Sequence, residues 1–260
     1  MQHTWRSNIK TSLFLLPLAA LSLSACGYSV FDAAEDMSSS SDDDNGLADG
    51  SAITNTAATV VAFTELEASG PDDIVFVTGD TFSISATGDA EAIKNLRYKV
   101  KDGSIRIGRV KEKIFGNRRK GVTITVTAPL LSEASLAGSG SFTADNMTGE
   151  KVTLDSAGSG SLSVGAVTAK SLESNLAGSG DVLLGGKVDR AEYSIAGSGN
   201  IDAVKMASTD AEVSIAGSGN VKLTATGKVD ASIAGSGSID VAGGAKCTSS
   251  TMGSGKISCS

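Results

Sequence analysis

The chain has 260 residues, a formal net charge of −7, 40% hydrophobic residues and 31 glycines, against three Cys, one His and one Trp. His3 and Trp5 both precede an apolar N-terminal stretch, so a product that loses this segment on export carries neither. That excludes Ser-His-Asp triads, Cys-His dyads and His-ligated metal centres, and no cofactor is expected.

Arg6 and Lys10 lead into the apolar run Leu13 to Leu23, interrupted by Pro17. This layout predicts a secretory signal peptide over residues 1–25, because a membrane span takes about 20 apolar residues. The run ends in Leu23-Ser24-Ala25-Cys26-Gly27, which resembles the lipobox of bacterial lipoproteins. The resemblance implies that Cys26 is the lipidation site and the mature N-terminus, with the membrane as a partner through the lipid anchor. The alternative is a plain signal peptide cut after Ser24. Cysteine arithmetic favours lipidation, since it leaves Cys247 and Cys259 as a disulfide pair and not an odd thiol in an oxidising compartment. Gly27 in place of Asp resembles lipoproteins sent to the outer membrane, so the expected location is the cell envelope.

Residues 26–58 form the lipidated N-terminus and an acidic tether. Asp32, Glu35, Asp36, Asp42, Asp43, Asp44 and Asp49 fall among serines with no Lys or Arg from Asp32 to Gly50. Such a segment buries too little to offset its ordering entropy, and its self-repulsion suits a spacer. An EF-hand reading fails because the Asp run lacks alternating ligand spacing and a closing Glu.

Residues 59–131 read as a strand-rich N-terminal cap. Ile74 to Val77, Phe82 to Ile84, Leu96 to Val100, Ile105 to Ile107 and Val122 to Val126 are strand-like, separated by turn signals at Thr78-Gly79-Asp80 and Asp102-Gly103. Charge here is lopsided: residues 94 to 120 carry eleven Lys and Arg against Asp102 and Glu112. Arg109, Lys111, Lys113, Arg118, Arg119 and Lys120 are the candidate anion-binding residues, flanking the apolar pair Ile114-Phe115. The competing reading is a solvated cap face whose charge limits edge pairing.

Residues 132–260 repeat. Gly-Ser-Gly begins at Gly138, Gly158, Gly178, Gly197, Gly217, Gly235 and Gly253, at spacings of 20, 20, 19, 20, 18 and 18. Around each triplet the apolar residues alternate, as in Val213, Ile215, Val221 and Leu223 with Glu212, Ser214, Lys222 and Thr224 between them. A repeat of this size with only short strands cannot close a core alone and must stack on its neighbours. The expected fold is therefore all-β, a single-stranded parallel β-helix (solenoid) with seven Gly-Ser-Gly rungs. The triplets form one structural corner, with both glycines pointing inward, where a Cβ finds no room, and a row of Ser hydroxyls outside. A Cys247–Cys259 link locks the last rung, worth about 3 kcal/mol in the chain-entropy model. Phosphate-loop and calcium-roll readings fail, because the glycines lead into strands and not helices, a Lys follows only the last triplet, as Lys256, and Asp181 is the only acid directly after a triplet.

Phe63 to Leu66, Ile74 to Gly79, Gly103 to Ile107, Val122 to Leu130 and the serial Gly-Ser-Gly rungs together resemble the auto-transporter adhesin head GIN domain family over residues 60 to 255. The resemblance implies a β-solenoid on an envelope-associated protein and carries no catalytic motif. The leading expectation is a non-catalytic, adhesin-like lipoprotein or binding scaffold, not an enzyme, with an anionic glycan or lipid headgroup as partner. Nucleic acid is not expected, because stacking aromatics are scarce. The alternatives are a purely structural envelope spacer and a polysaccharide-active β-helix enzyme. For the last, acids such as Asp202, Asp210 and Glu212 read as ordinary outward strand residues.

Overall fold

A computed structural model describes residues 46–110 and 121–260; Cys26, most of the tether and Lys111 to Lys120 lie outside the described residues. The N-terminal part contains β1 (Ser51–Ala52), β2 (Ala58–Thr59), β3 (Glu65–Gly70), β4 (Asp73–Thr78), β5 (Ser83–Gly88), the short helix α1 (Ala90–Lys94), β6 (Leu96–Lys101), β7 (Ser104–Arg109) and β8 (Val122–Ala128). The repeats form β9 (Glu133–Gly138), β10 (Ser141–Gly158), β11 (Ser161–Gly178), β12 (Asp181–Gly197) and β13 (Asn200–Gly217). They continue as β14 (Asn220–Ala225), β15 (Lys228–Gly235), β16 (Ser238–Ala242), β17 (Lys246–Gly253) and β18 (Lys256–Cys259).

Each repeat lies parallel on the one before it, so the protein is the expected all-β parallel solenoid. Gly138, Gly158, Gly178, Gly197, Gly217, Gly235 and Gly253 are register partners in series, and seven corners bound six turns. Val213, Ile215, Val221 and Leu223 are buried while Glu212, Ser214 and Lys222 are exposed, so the alternation sorts lumen from surface. In β10 the buried series Phe142, Ala144, Met147, Val152, Leu154 skips a beat twice, which bends each turn into three sides. Lumen columns trade volume between turns: Leu154, Ser174, Tyr193 and Val213 are stacked partners, so the small Ser174 is paired with the large Tyr193.

The corners are in place, but the reason for their first glycine differs from the expected crowding inside the lumen. Gly217 has φ +137°, and a Cβ there would lie 2.1 Å from the carbonyl oxygen of Gly197 in the preceding turn. The obstacle is the neighbouring corner along the stack. Gly219 meets both, with Gly199 O at 2.4 Å and the Ile195 side chain at 2.8 Å. Between them the Ser218 side chain points out to solvent, and its N–H donates to Gly197 O at 2.9 Å. After the corner, Asn200 Nδ2 donates to Asp181 and Asn220 Nδ2 donates to Asn200, each at 2.8 Å, a side-chain ladder climbing the outside.

The stack begins earlier in the chain than the triplets do. Gly70 (φ +118°) pairs with Gly138, so β3 and β4 form a turn whose corner is Gly70-Pro71-Asp72. Spatial order then departs from chain order: β3 lies between β7 and β9, and β4 between β8 and β10. Beyond them β6 and β5 pair antiparallel with β7 and β8, and β1 and β2 cover these in turn. The β6–β7 hairpin turns on Asp102 (φ +53°) and Gly103 (φ +87°), the positive-φ pair that two-residue hairpins need. Antiparallel strands thus cover the edge that the parallel coil would otherwise expose.

The other end is closed covalently. Cys247 and Cys259 form a disulfide across the last turn, in line with Val229 and Val241 of the turn before. Ser249 and Thr251 replace Ala231 and Ile233 at the inward positions, as suits a rung that is wet on one side.

Gly217→Ala should cost about 3 kcal/mol or more, from positive-φ strain plus overpacking, whereas Ser218→Ala should stay within about 0.5 kcal/mol; urea denaturation measures both. Replacing Cys247 and Cys259 by Ser should cost about 3 kcal/mol, with faster amide exchange confined to β17 and β18.

Candidate functional site

In sequence the basic segment joins β7 to β8. These strands flank β3 and β4 in register, so β7 ends and β8 begins beside the corner Gly70-Pro71-Asp72. Asp72 holds both ends of this segment. Its carboxylate, 4% exposed, accepts a two-pronged bond from Arg109, Nε at 2.7 Å and Nη2 at 2.5 Å, and a third from the backbone N–H of Val122 at 3.0 Å. The bond to Asp72 raises the Arg109 pKa above its ordinary value. Planar guanidinium and carboxylate match prong for prong, which fixes orientation as well as charge.

Arg109, a candidate anion-binding residue from sequence, is therefore committed to Asp72. The neighbouring cations are committed likewise. Lys94 Nζ meets Glu91 at 2.6 Å, Arg97 donates to the Lys94 and Leu96 carbonyls, Lys99 Nζ meets Asp49 at 2.8 Å, and Arg106 Nε meets Glu67 at 2.8 Å. The hydrogen bond from Lys99 holds the Asp49 carboxyl below the usual range. Carboxylates thus pair with Lys94, Lys99, Arg106 and Arg109, whereas Arg97 meets backbone carbonyls and Lys101 lies 3.8 Å from its neighbour Asp102. Lys111, Lys113, Arg118, Arg119 and Lys120 lie outside the described residues.

A second charged feature was not apparent from sequence. On one outer face Glu65, Glu133, Thr153, Glu173, Glu192, Glu212 and Asp230 are register partners across successive strands. Strand spacing puts such neighbours about 4.8 Å apart. Lys151 answers Glu173 at 2.6 Å and Arg190 answers Glu212 at 3.0 Å. The rest repel: burial, then the charges of Glu65 and Asp155, raise the Glu133 pKa, and burial, then Glu173 and Glu212, raise that of Glu192. Burial also raises Asp155, whereas at Glu173 it is outweighed by the bonds from Lys151 and Asn175, which hold that carboxyl low. The spacing of Glu173, Glu192 and Glu212 follows the repeat period, and that was the available signal. Among the described residues no group of three or more His, Cys, Asp or Glu is placed to hold a metal ion.

A family model described as "Putative auto-transporter adhesin, head GIN domain" matches residues 62–245. The chain belongs to this GIN-domain family. Among solved structures, the GIN-domain chain is similar to a "putative adhesin" from Bacteroides fragilis, with 25% identity and a TM-score of 0.73 over 80% of this chain and 100% of that one. It is also similar to a "putative lipid binding protein" from Parabacteroides distasonis, with 28% identity and a TM-score of 0.62 over 79% of this chain and 95% of that one. A "putative adhesin" from the same species, 19% identical with a TM-score of 0.68 over 80% of this chain and 99% of that one, shares the fold. A comparison with curated proteins finds no significant match. The two similar structures at 25% and 28% identity are thus described by adhesion or lipid binding.

Asp72→Asn should cost about 3 kcal/mol or more, because it strands a largely buried guanidinium, and should speed exchange of the Val122 amide. Glu133→Gln should raise the melting temperature at neutral pH. A carboxyl whose folded pKa lies above its unfolded value destabilises the fold while ionised, and this penalty vanishes below the unfolded value. Mutant and wild type should therefore converge below about pH 4, under the unfolded Glu pKa; thermal melts across pH check the crossover.

Proposed function

We propose that this GIN-domain chain is a non-catalytic lipoprotein of the cell envelope that binds anionic polymers through the cations of residues 111 to 120. The observation that carries the reading is the Asp72 clip. A three-bond buried anchor ties the end of β7 to the start of β8, the two strands that the cation-rich stretch connects, while Lys94, Lys99 and Arg106 before it are paired with local carboxylates. Between those strands the sequence holds Lys111, Lys113, Arg118, Arg119 and Lys120 against one acid, Glu112. A concentration of one sign on a stiff support attracts polyanions over a Debye length and holds them by multiple weak contacts. The candidate ligands are anionic glycans and anionic lipid headgroups; the adhesin and lipid-binding descriptions of the similar structures support a binding role.

In this reading Cys26 carries the lipid, the acidic stretch to Gly50 spaces the solenoid from an outer membrane, and the long stack sets the reach. A purely structural spacer is the second reading, favoured by the local neutralisation of Lys94, Lys99 and Arg106.

Arg118→Glu, Arg119→Glu and Lys120→Glu together, measured against sulfated glycans and phosphatidylglycerol vesicles, should weaken binding by about tenfold or more, and wild-type affinity should fall with added salt. Binding that ignores both salt and the triple reversal would leave the spacer reading.

A further inference from the structure

The cap holds a second charged feature, apart from the cations of residues 111 to 120. On the outer face of β3, β7 and β6 lies an open cleft of about 450 Å³, bordered by Glu65, Glu67, Lys101, Asp102, Ser104 and Arg106. Two cross-strand rows form its floor: Glu67, Arg106 and Lys99 in one, and Glu65, Ser104 and Lys101 in the other. The first row is closed on itself. Arg106 Nε donates to Glu67 at 2.8 Å, Ser104 Oγ donates to the same carboxylate at 3.3 Å, and Lys99 turns away to Asp49.

The second row is not closed. Glu65 is the register partner of Glu133, so two carboxylates stand side by side at strand spacing, and among the described residues neither has a cation within 4 Å. Glu133 lies half-buried, with Glu65, Glu67 and Asp155 adding negative potential against the single opposing Lys151. At the far side Lys101 meets only its chain neighbour Asp102, at 3.8 Å, with both side chains largely in water at 78% and 86% exposure. Such a contact is worth little and gives way readily to a better partner. Two strand spacings, about 10 Å, separate the backbone stations of Glu65 and Lys101. Side chains of that length can close from both ends on a molecule a few atoms long.

We infer that this cleft binds a small zwitterion, an ammonium group linked through a short chain to a carboxylate or phosphate. The ammonium lies against Glu65 and relieves its repulsion with Glu133; the anionic oxygens take Lys101 away from Asp102. Ser104 lies between the two stations. A simple cation would leave Lys101 unserved, and a simple anion would meet the Glu65 and Glu133 field, so the pairing of signs selects for both charges in one molecule.

The test is an amide chemical-shift titration of the folded protein with glycine, γ-aminobutyrate and O-phosphoethanolamine, beside ethylamine and propionate as single-charge controls. Expected are saturable shifts at Glu65, Lys101 and Ser104 for at least one zwitterion, with both controls about tenfold weaker, or 1.4 kcal/mol. Glu65→Gln and, separately, Lys101→Ala should each weaken the zwitterion by a similar factor; neither should lower the melting temperature, and Glu65→Gln, which relieves the repulsion at Glu133, should raise it at neutral pH. Lys101 is the safeguard variant, because its side chain is exposed. The inference is overturned if no zwitterion gives a saturable shift, if ethylamine binds as well as the best zwitterion, or if neither substitution changes the affinity.

Discussion

Consecutive corners approach each other so closely that a single extra carbon has nowhere to go. A Cβ on Gly178, Gly197, Gly217 or Gly235 would lie 2.0 to 2.2 Å from the carbonyl oxygen of the corner beneath. This close approach of backbone to backbone is what the hydrogen-bonded strand spacing of about 4.8 Å requires at the corner. It keeps the corner N–H groups within reach of the previous carbonyls, aligns the lumen columns, and places each outward side chain directly over its predecessor. The Asn ladder after the corner and the carboxylate row on the neighbouring face both follow from it, since in-register stacking turns a residue type repeated at one position into a line of identical groups. The same alignment that serves amides, which donate and accept in turn, penalises carboxylates, which can only repel.

A stack of parallel strands has two ends to protect, and the molecule treats them differently. At the N-terminal end the chain folds back as antiparallel hairpins and inserts Glu65–Thr78 between strands that come later in sequence. At the C-terminal end Cys247 and Cys259 close the last turn, with Lys246 and Lys256 leading its two strands. Covering an edge with other strands takes many residues and creates new surface; a crosslink takes two and creates none. The elaborate end is accordingly where the irregular features gather: the buried Asp72, the ends of β7 and β8 that it joins, and the open cleft beside Glu65.

Charge is organised by the same division. Along the regular turns opposite charges meet across neighbouring turns, as Lys151 with Glu173 and Arg190 with Glu212. In the cap the pairs join distant parts of the chain, as Lys99 with Asp49 and Arg109 with Asp72. Surface pairs of this kind contribute little to stability; a buried, doubly bonded one orients the groups it joins. The Asp72 pair is of the second kind, and with the Val122 amide it fixes the end of β7 against the start of β8.

Sequence by itself determined the architecture of the second half. A period of 18 to 20 residues, strict alternation and a glycine triplet at each interval leave one arrangement in which every turn buries its apolar side against the next, and each of these signals is local. It also showed the paired cysteines and the cluster of cations. It did not show which cations were already spent, because Asp49, Glu67 and Asp72 lie 50, 39 and 37 residues from Lys99, Arg106 and Arg109. Nor did it show that Gly70-Pro71-Asp72 is a corner, since one triplet lacking its second glycine has no period to mark it. Those points were decided only by tertiary structure. Stacking order in the cap departs from chain order, and a contact between strands threaded out of sequence depends on the whole surrounding surface, which no short stretch of residues encodes.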